Sequence, residues 1–327
     1  MDLSTTYLGL DLRHPFLNGA SPLTQSLDTV KRLEDAGAAA IVVHSLFEEQ
    51  VAELRADASA RRMIDPLDPA APSNEALAAD PYEHLEQVRR IRGAVGVPVI
   101  ASLNGTTLGG WLHWAKLLEQ AGANAIELNV YEVATDPRAT AADVERRVLE
   151  IVRAVSSEIG VPLAVKLSPF YSAFANLAAR LDAAGAKGLV LFNRFFQPDI
   201  DLHARAVRPR ISYSRREELP LRLRWLAILD GRVGCSLAVS GGVHETADAA
   251  KAVLAGAHAI QMVSALLVNG PEHLRVVREG FARWLAERGV HSLGAIRGEM
   301  SLAQCADPKG FERAAYTGTI RGWSPVE

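Results

Sequence analysis

Ala36-Gly37-Ala38, followed by the apolar run Ala40-Ile41-Val42-Val43, is the first of four copies of one punctuation, and its recurrence decides the fold. The others are Ala121-Gly122-Ala123 before Ala125-Ile126-Glu127-Leu128, Ala184-Gly185-Ala186 before Gly188-Leu189-Val190-Leu191, and Ala255-Gly256-Ala257 before Ala259-Ile260-Gln261-Met262. Residues with helical spacing precede each copy, so each glycine reads as a helix C-terminal stop and each run as a buried strand. The four glycines lie 85, 63 and 71 positions apart. One βα unit takes roughly 30 residues, so each interval should hold a further strand and helix. Gly96-Val-Pro-Val-Ile-Ala-Ser-Leu103, Gly160-Val-Pro-Leu-Ala-Val-Lys-Leu167 and Gly234-Cys-Ser-Leu-Ala-Val-Ser240 supply those strands, and Pro15-Phe-Leu-Asn18 supplies a first one. Eight strands alternating with helices predict an α/β protein, a (β/α)8 TIM barrel.

Apolar residues at helical spacing predict helices over Leu27–Asp35, Pro81–Val95, Gly110–Gln120, Ala142–Ile159, Ser172–Ala183, Leu219–Asp230, Glu245–Leu254 and Pro271–Arg288. Three connections are longer than ordinary βα loops: Ser45–Asp80, Val130–Ala141 and Arg194–Glu218. All follow even strands on one barrel face, where lids and substrate walls are built. Residues 1–297 are expected to form the barrel, and 298–327 an extension packed on it or at an oligomer contact.

With 327 residues, 49% hydrophobic and 22% charged, the chain has the composition of a globular protein with a sizeable core. A net charge of -3 gives no electrostatic case for nucleic acid or an anionic membrane. Two cysteines, Cys235 and Cys305, are too few for a disulfide framework or a four-thiolate iron–sulfur centre. No metal site is expected. Without an 18-residue apolar stretch or a signal-like start, a cytosolic location is the expectation.

Two adjacent turns late in the barrel point to a phosphate. Strand seven ends in Ser240-Gly241-Gly242 before a helix, and strand eight ends in Gln261-Met262-Val263-Ser264-Ala265, also entering a helix. Glycines let backbone N–H groups approach an anion, helix N-termini favour negative charge, and the loops after strands seven and eight are the recurrent phosphate site of such barrels. Lys166, at the C-terminal end of strand five, is a lysine inside an apolar strand, and its ammonium needs an anion or water. A cation there suits negative charge on a reduced cofactor ring. Asn18, Asn104, Asn129 and Asn193 end strands one, three, four and six. Amides carry both donor and acceptor, which suits the edge of a heterocycle.

These residues together resemble the FMN-dependent dihydroorotate dehydrogenase family over approximately residues 5 to 295. The matching stretches are His14-Pro-Phe-Leu-Asn-Gly-Ala-Ser21, Glu127-Leu-Asn129, Val165-Lys-Leu-Ser-Pro169, Phe192-Asn193, Ser240-Gly-Gly242 and Ile260-Gln-Met-Val-Ser-Ala-Leu266. The resemblance implies that Ala20 and Ser21 touch the flavin and that Lys166 holds its pyrimidine side. Asn129 and Asn193 would reach flavin or substrate, and Gly241, Gly242, Ser264 and Ala265 the FMN phosphate. Ser45, Asn104 and Ser240 complete the flavin set. In the family, dihydroorotate gives a C5 proton to a base and a C6 hydride to flavin N5, forming orotate, the pyrimidine precursor. The sequence departs from the pattern where the family carries a Cys or Ser base, since this chain reads Val130-Tyr131-Glu132-Val133-Ala134. Glu132 stands at the base position, with Tyr131 and His44 as other candidates, His44 replacing a lysine common at the end of strand two. The Asn-rich substrate motif expected after strand two is absent from Ser45–Asp80.

The reading is therefore an FMN-dependent dehydrogenase acting on dihydroorotate or a related cyclic small molecule, of the soluble branch. A homodimer is expected, with an electron-transfer partner subunit as in the branch that passes electrons to NAD. Two rivals stand beside it: a flavin-binding electron-transfer or scaffold subunit without the family reaction, and a non-redox barrel enzyme on a phosphorylated metabolite, with Lys166 as substrate ligand or Schiff base.

Overall fold

The computed structural model describes residues 1–48, 81–105, 108–130, 132–194, 197–210, 212–311 and 314–322. Its strands are β1 (Thr5–Tyr7), β2 (Leu10–Leu12), β3 (Phe16–Asn18), β4 (Ile41–Phe47), β5 (Val99–Gly105), β6 (Ala125–Val130), β7 (Leu163–Leu167), β8 (Gly188–Leu191), β9 (Gln197–Asp201), β10 (Ala206–Arg210), β11 (Ser236–Ser240) and β12 (Ala259–Met262). Eight of these make one parallel sheet in the order β3-β12-β11-β8-β7-β6-β5-β4. They are the eight strands the punctuation predicts, curled until β3 and β4 meet. At that seam Ala39 N–H donates to the Phe16 carbonyl at 2.9 Å. The Asn18 side chain completes it, donating to the Val42 carbonyl at 2.7 Å and accepting from Val42 N–H at 3.2 Å. Asn18 is thus bound to the backbone of the neighbouring strand instead of standing on the rim with the other amides.

The helices are α1 (Leu27–Asp35), α2 (Pro81–Ala94), α3 (Leu108–Gln120), α4 (Ala141–Glu158), α5 (Phe174–Ala183), α6 (Leu219–Leu229), α7 (Thr246–Leu254), α8 (Ser264–Asn269), α9 (His273–Ala286) and α10 (Ala314–Arg321). Each Ala-Gly-Ala ends its helix as a Schellman turn. The N–H after each glycine reaches back across the last turn: Ala38 to Leu33, Ala123 to Leu118, Ala186 to Leu181 and Ala257 to Ala252. Such a turn needs a left-handed residue, and the glycines sit at φ 92, 100, 108 and 110°. The next residue pins the new strand to its neighbour, as when Lys187 N–H donates to the Leu163 carbonyl and His258 N–H to the Leu237 carbonyl, each at 2.7 Å.

Two hairpins were not expected. β9 and β10 pair antiparallel within the long Arg194–Glu218 connection. β1 and β2 form the other, which closes the N-terminal end of the barrel. There Thr5 Oγ1 donates to the His258 carbonyl at 3.0 Å, and Leu8 N–H donates to Ser236 Oγ at 3.3 Å. Tyr7 and Leu8 pack so tightly beneath β8 that a Cβ on Gly188 would lie 2.4 Å from Leu8 Cδ2. Above them lies a ring of apolar side chains, one per barrel strand: Leu17, Val42, Ile100, Ala125, Ala164, Val190, Ala238 and Ala259. The larger core lies between the strands and the surrounding helices, with Leu33, Ile91, Leu118, Val152, Leu181, Leu226, Val253 and Phe281 among its buried members. Residue 298 onward begins by docking on this shell, since Met300 N–H donates to the Leu254 carbonyl and Leu302 N–H to the Ala227 carbonyl, each at 2.8 Å.

Substituting Gly256 by Ala should destabilise the protein by more than about 1–2 kcal/mol, because the left-handed cost adds to a Cβ placed 2.6 Å from that of Asp230. Gly93→Ala, inside α2 with nothing within 4 Å, should raise stability by roughly 0.5–1 kcal/mol. Denaturant melts of the two variants check both signs. Burial lowers His14 and His258 to about 4 and His84 to about 3. Each is held neutral when folded and takes a proton on unfolding from pH 6.5 downward, so stability should be full above pH 6.5 and fall as pH drops toward 4. Thermal melts across that window that stay flat would contradict this.

Candidate active site at the C-terminal mouth

Strand periodicity builds the site. Two residues beyond the apolar ring, the inward positions become Ser102, Glu127, Lys166, Ser240 and Gln261; two further on stand Asn104 and Asn129. The barrel interior therefore turns from apolar to polar toward its C-terminal mouth, and three polar clusters fill that end.

The first surrounds Lys166, which is only 4% exposed. Its Nζ lies 3.3 Å from Glu127 Oε1 and 3.5 Å from Gln261 Oε1. Gln261 Nε2 donates in turn to Glu127 Oε2. The cation is thus paired inside the barrel, which is what permits its burial. Tyr7 comes up from below; burial first, then the Glu127 charge, pushes its phenol well above the ordinary value.

The second cluster is Asn129, whose Nδ2 donates to Ser102 Oγ at 2.7 Å and Ser45 Oγ at 3.1 Å, the two hydroxyls lying 2.8 Å apart. Its Oδ1 is buried without a hydrogen-bond partner. Ser45 reaches this cluster because a bulge between Val42 and Ser45 shifts the β4 register, pairing Ser45 with Ser102. His44, one residue earlier, is held elsewhere. Its ring lies 3.3 Å from Thr24 Oγ1 and 3.2 Å from His84 Nδ1, and burial lowers its pKa.

The third cluster is the pair of late turns. Gly241 and Gly242 both adopt positive φ, 85 and 82°. Arg222, on α6, donates from Nε to the Ser240 carbonyl at 2.6 Å and from Nη1 to the Glu218 carbonyl at 2.8 Å. Ser214 joins the two turns: its Oγ accepts from Gly242 N–H at 3.2 Å, and its N–H donates to Ser264 Oγ at 2.9 Å. Ala265 is fully buried beside Ser264 at the start of α8.

The remaining expected residues lie around these clusters. Ser21 is buried and its hydroxyl has no partner, while Ala20 beside it is half-buried. Asn104, half-buried, lines a pocket with Phe47, Glu48, Trp111 and Trp114. Asn193 follows β8, its N–H donating to the Leu167 carbonyl at 2.8 Å. Glu132 makes an ion pair with Arg147 of α4. Its charge also bears on Tyr171, whose phenol burial pushes to about 12. Tyr131 lies outside the described residues, as does the part of Ser45–Asp80 beyond residue 48. Sequence reasoning gave no role to Glu127, Gln261, Ser102, Ser214, Arg222 or Tyr171. The first three were findable, being polar residues inside apolar strands at the parity of Lys166 and Asn129. Ser214 and Arg222 carry no such signal, because long-range docking of their segment brings them in.

The sequence profile of the dihydroorotate dehydrogenase family matches residues 2–285. A protein of Aeropyrum pernix assigned as dihydroorotate dehydrogenase A (fumarate) is 33% identical over 214 residues, 62% of this chain and 67% of its own. The catalytic subunit of dihydroorotate dehydrogenase B (NAD(+)) of Endomicrobium trichonymphae is 26% identical, covering 93% of this chain and 99% of its own. The NAD-dependent dihydropyrimidine dehydrogenase subunit PreA of Escherichia coli K12 is 25% identical, covering 91% and 76%. Among the described residues no helix is long and apolar enough to cross a membrane. The profile match spans the eight strands, all three polar clusters and most of the helical shell, and the chain belongs to the dihydroorotate dehydrogenase family of flavoprotein oxidoreductases acting on CH–CH bonds.

Proposed function

We propose that this chain binds FMN across the C-terminal mouth and oxidises dihydroorotate or a related cyclic amide such as a dihydropyrimidine. The observation that carries the reading is that Ser21 Oγ and Asn129 Oδ1, at the C-terminal ends of their strands, are among the buried polar atoms left without a hydrogen-bond partner. A buried polar atom without a partner costs roughly 1–3 kcal/mol, and a heterocycle with N–H and C=O groups would satisfy both.

In this reading Gly241, Gly242 and the Ser264 hydroxyl hold the phosphate, with Ser214 as a further hydroxyl and Arg222 fixing the Ser240 carbonyl from behind. Ala20 and Ser21 line one side of the ring, while Ser45, Asn104, Asn129 and Asn193 offer hydroxyl and amide groups to ring and substrate. Lys166 places its ammonium at the pyrimidine side. FMN bound there would supply the hydride acceptor. Glu132, fixed by Arg147 at the exit of β6, takes the substrate proton as general base; Tyr171 lies within range of its charge and keeps its own proton. Two relatives are named as subunits, which supports a separate protein partner carrying the electrons onward; homodimerisation and a cytoplasmic location complete the reading.

The purified protein should be yellow or become so with FMN, and anaerobic addition of dihydroorotate or dihydrouracil should bleach it. Bleaching by neither compound would overturn the substrate assignment. Glu132→Gln should keep FMN and slow bleaching about 10²–10⁴-fold, the scale of losing a general base; an unchanged stopped-flow rate removes Glu132 from that role. Lys166→Ala should abolish or strongly slow the reduction.

A further inference from the structure

We propose that Glu127 is a positioning residue that sets how much of the Lys166 charge reaches the cofactor ring, and through it the balance between oxidised and reduced flavin. The inference rests on the FMN reading above. Lys166 is paired in register with Asn129, yet its ammonium contacts Glu127, which stands two residues lower on β6, toward the apolar ring. The cation is therefore turned toward the carboxylate of its own layer, one step below Asn129. The Glu127 side chain is fully buried and that of Lys166 only 6% exposed, so water screens neither charge. Gln261 closes the group, its amide N–H on one carboxylate oxygen and its carbonyl toward the ammonium. A lysine presented alone would favour negative charge on the reduced ring as a monopole; paired with a carboxylate 3.3 Å away, it acts as a dipole whose field falls off faster. Glu127 thereby holds the reduced flavin less stable than Lys166 alone would make it, and Gln261 keeps the carboxylate oriented for that work.

Glu127→Gln removes the charge while keeping shape and an acceptor for the ammonium. With FMN bound, its midpoint potential, measured by dye-coupled reduction, should rise by at least a tenfold shift in the oxidised-to-reduced ratio, about 30 mV for a two-electron couple. Glu127→Asp, which keeps the charge but withdraws it, should give a smaller rise, and it serves where Glu127→Gln does not fold. A potential that stays or falls in a yellow variant overturns the inference and leaves the function reading standing. A wild-type protein that takes up no FMN overturns both.

Discussion

Eight parallel strands form a ring without free edges only if the first and last are joined, and here that join rests on very few atoms. Between Phe16–Asn18 and Ile41–Phe47, one backbone bond from Ala39 and two bonds from the Asn18 side chain replace a regular ladder. An unpaired strand edge inside a barrel would bury unsatisfied N–H and C=O groups. Asn18 supplies both a donor and an acceptor to Val42, imitating a missing residue of backbone. Everything at the mouth inherits its position from this closure. β4 carries Ser45 into the Asn129 cluster and β3 leads directly into Ala20 and Ser21, so both flanks of the site hang on the seam.

Within the ring, the division of labour follows depth. The lowest inward layer is apolar and filled; the next holds the Glu127–Lys166–Gln261 group; the outermost offers Asn104 and Asn129. A buried ion pair gives little net stability against a hydrophobic substitute, because desolvating two charges roughly cancels their attraction. In this barrel it stands as a fixed electrostatic element below the C-terminal mouth. The bulge in β4 works in the same direction, since one extra residue brings Ser45 to the mouth and leaves His44 with Thr24 and His84.

The barrel was legible because its grammar is local. Each Ala-Gly-Ala encodes a left-handed stop, and each stop is followed at once by its strand, so no tertiary information was needed. The helices observed begin and end within two residues of expectation up to Leu254. The last agrees as well: His273–Ala286 lies within two residues of the expected Pro271–Arg288, and the short Ser264–Asn269 is the helix that strand eight was expected to enter, set apart by Gly270 at φ 86°. The late glycine turns and Lys166 were readable for the same local reason. The Lys166 counter-charge was not recognised, although Glu127 sits in one of the four quoted strands. Pairing a residue on β6 with residues on β7 and β12 is a property of the ring, not of any segment. Asn18 shows the converse. Its strand-end position suggested a ligand amide, and only closure of the barrel reveals that its hydrogen bonds are already taken.

The N-terminal hairpin gives the barrel a direction in time as well as in space. Thr5, Tyr7 and Leu8 precede in the chain every group they meet here (Gly188, Ser236 and His258), in one case by 253 residues. Contacts spanning most of a chain form late, because the loop they close is costly until other structure has shortened it. The apolar side chains of Tyr7 and Leu8 are covered only where β8 and the segments around Ser236 and His258 have come together. The floor of the barrel is drawn from the chain ahead of its first barrel strand and held by residues from its second half.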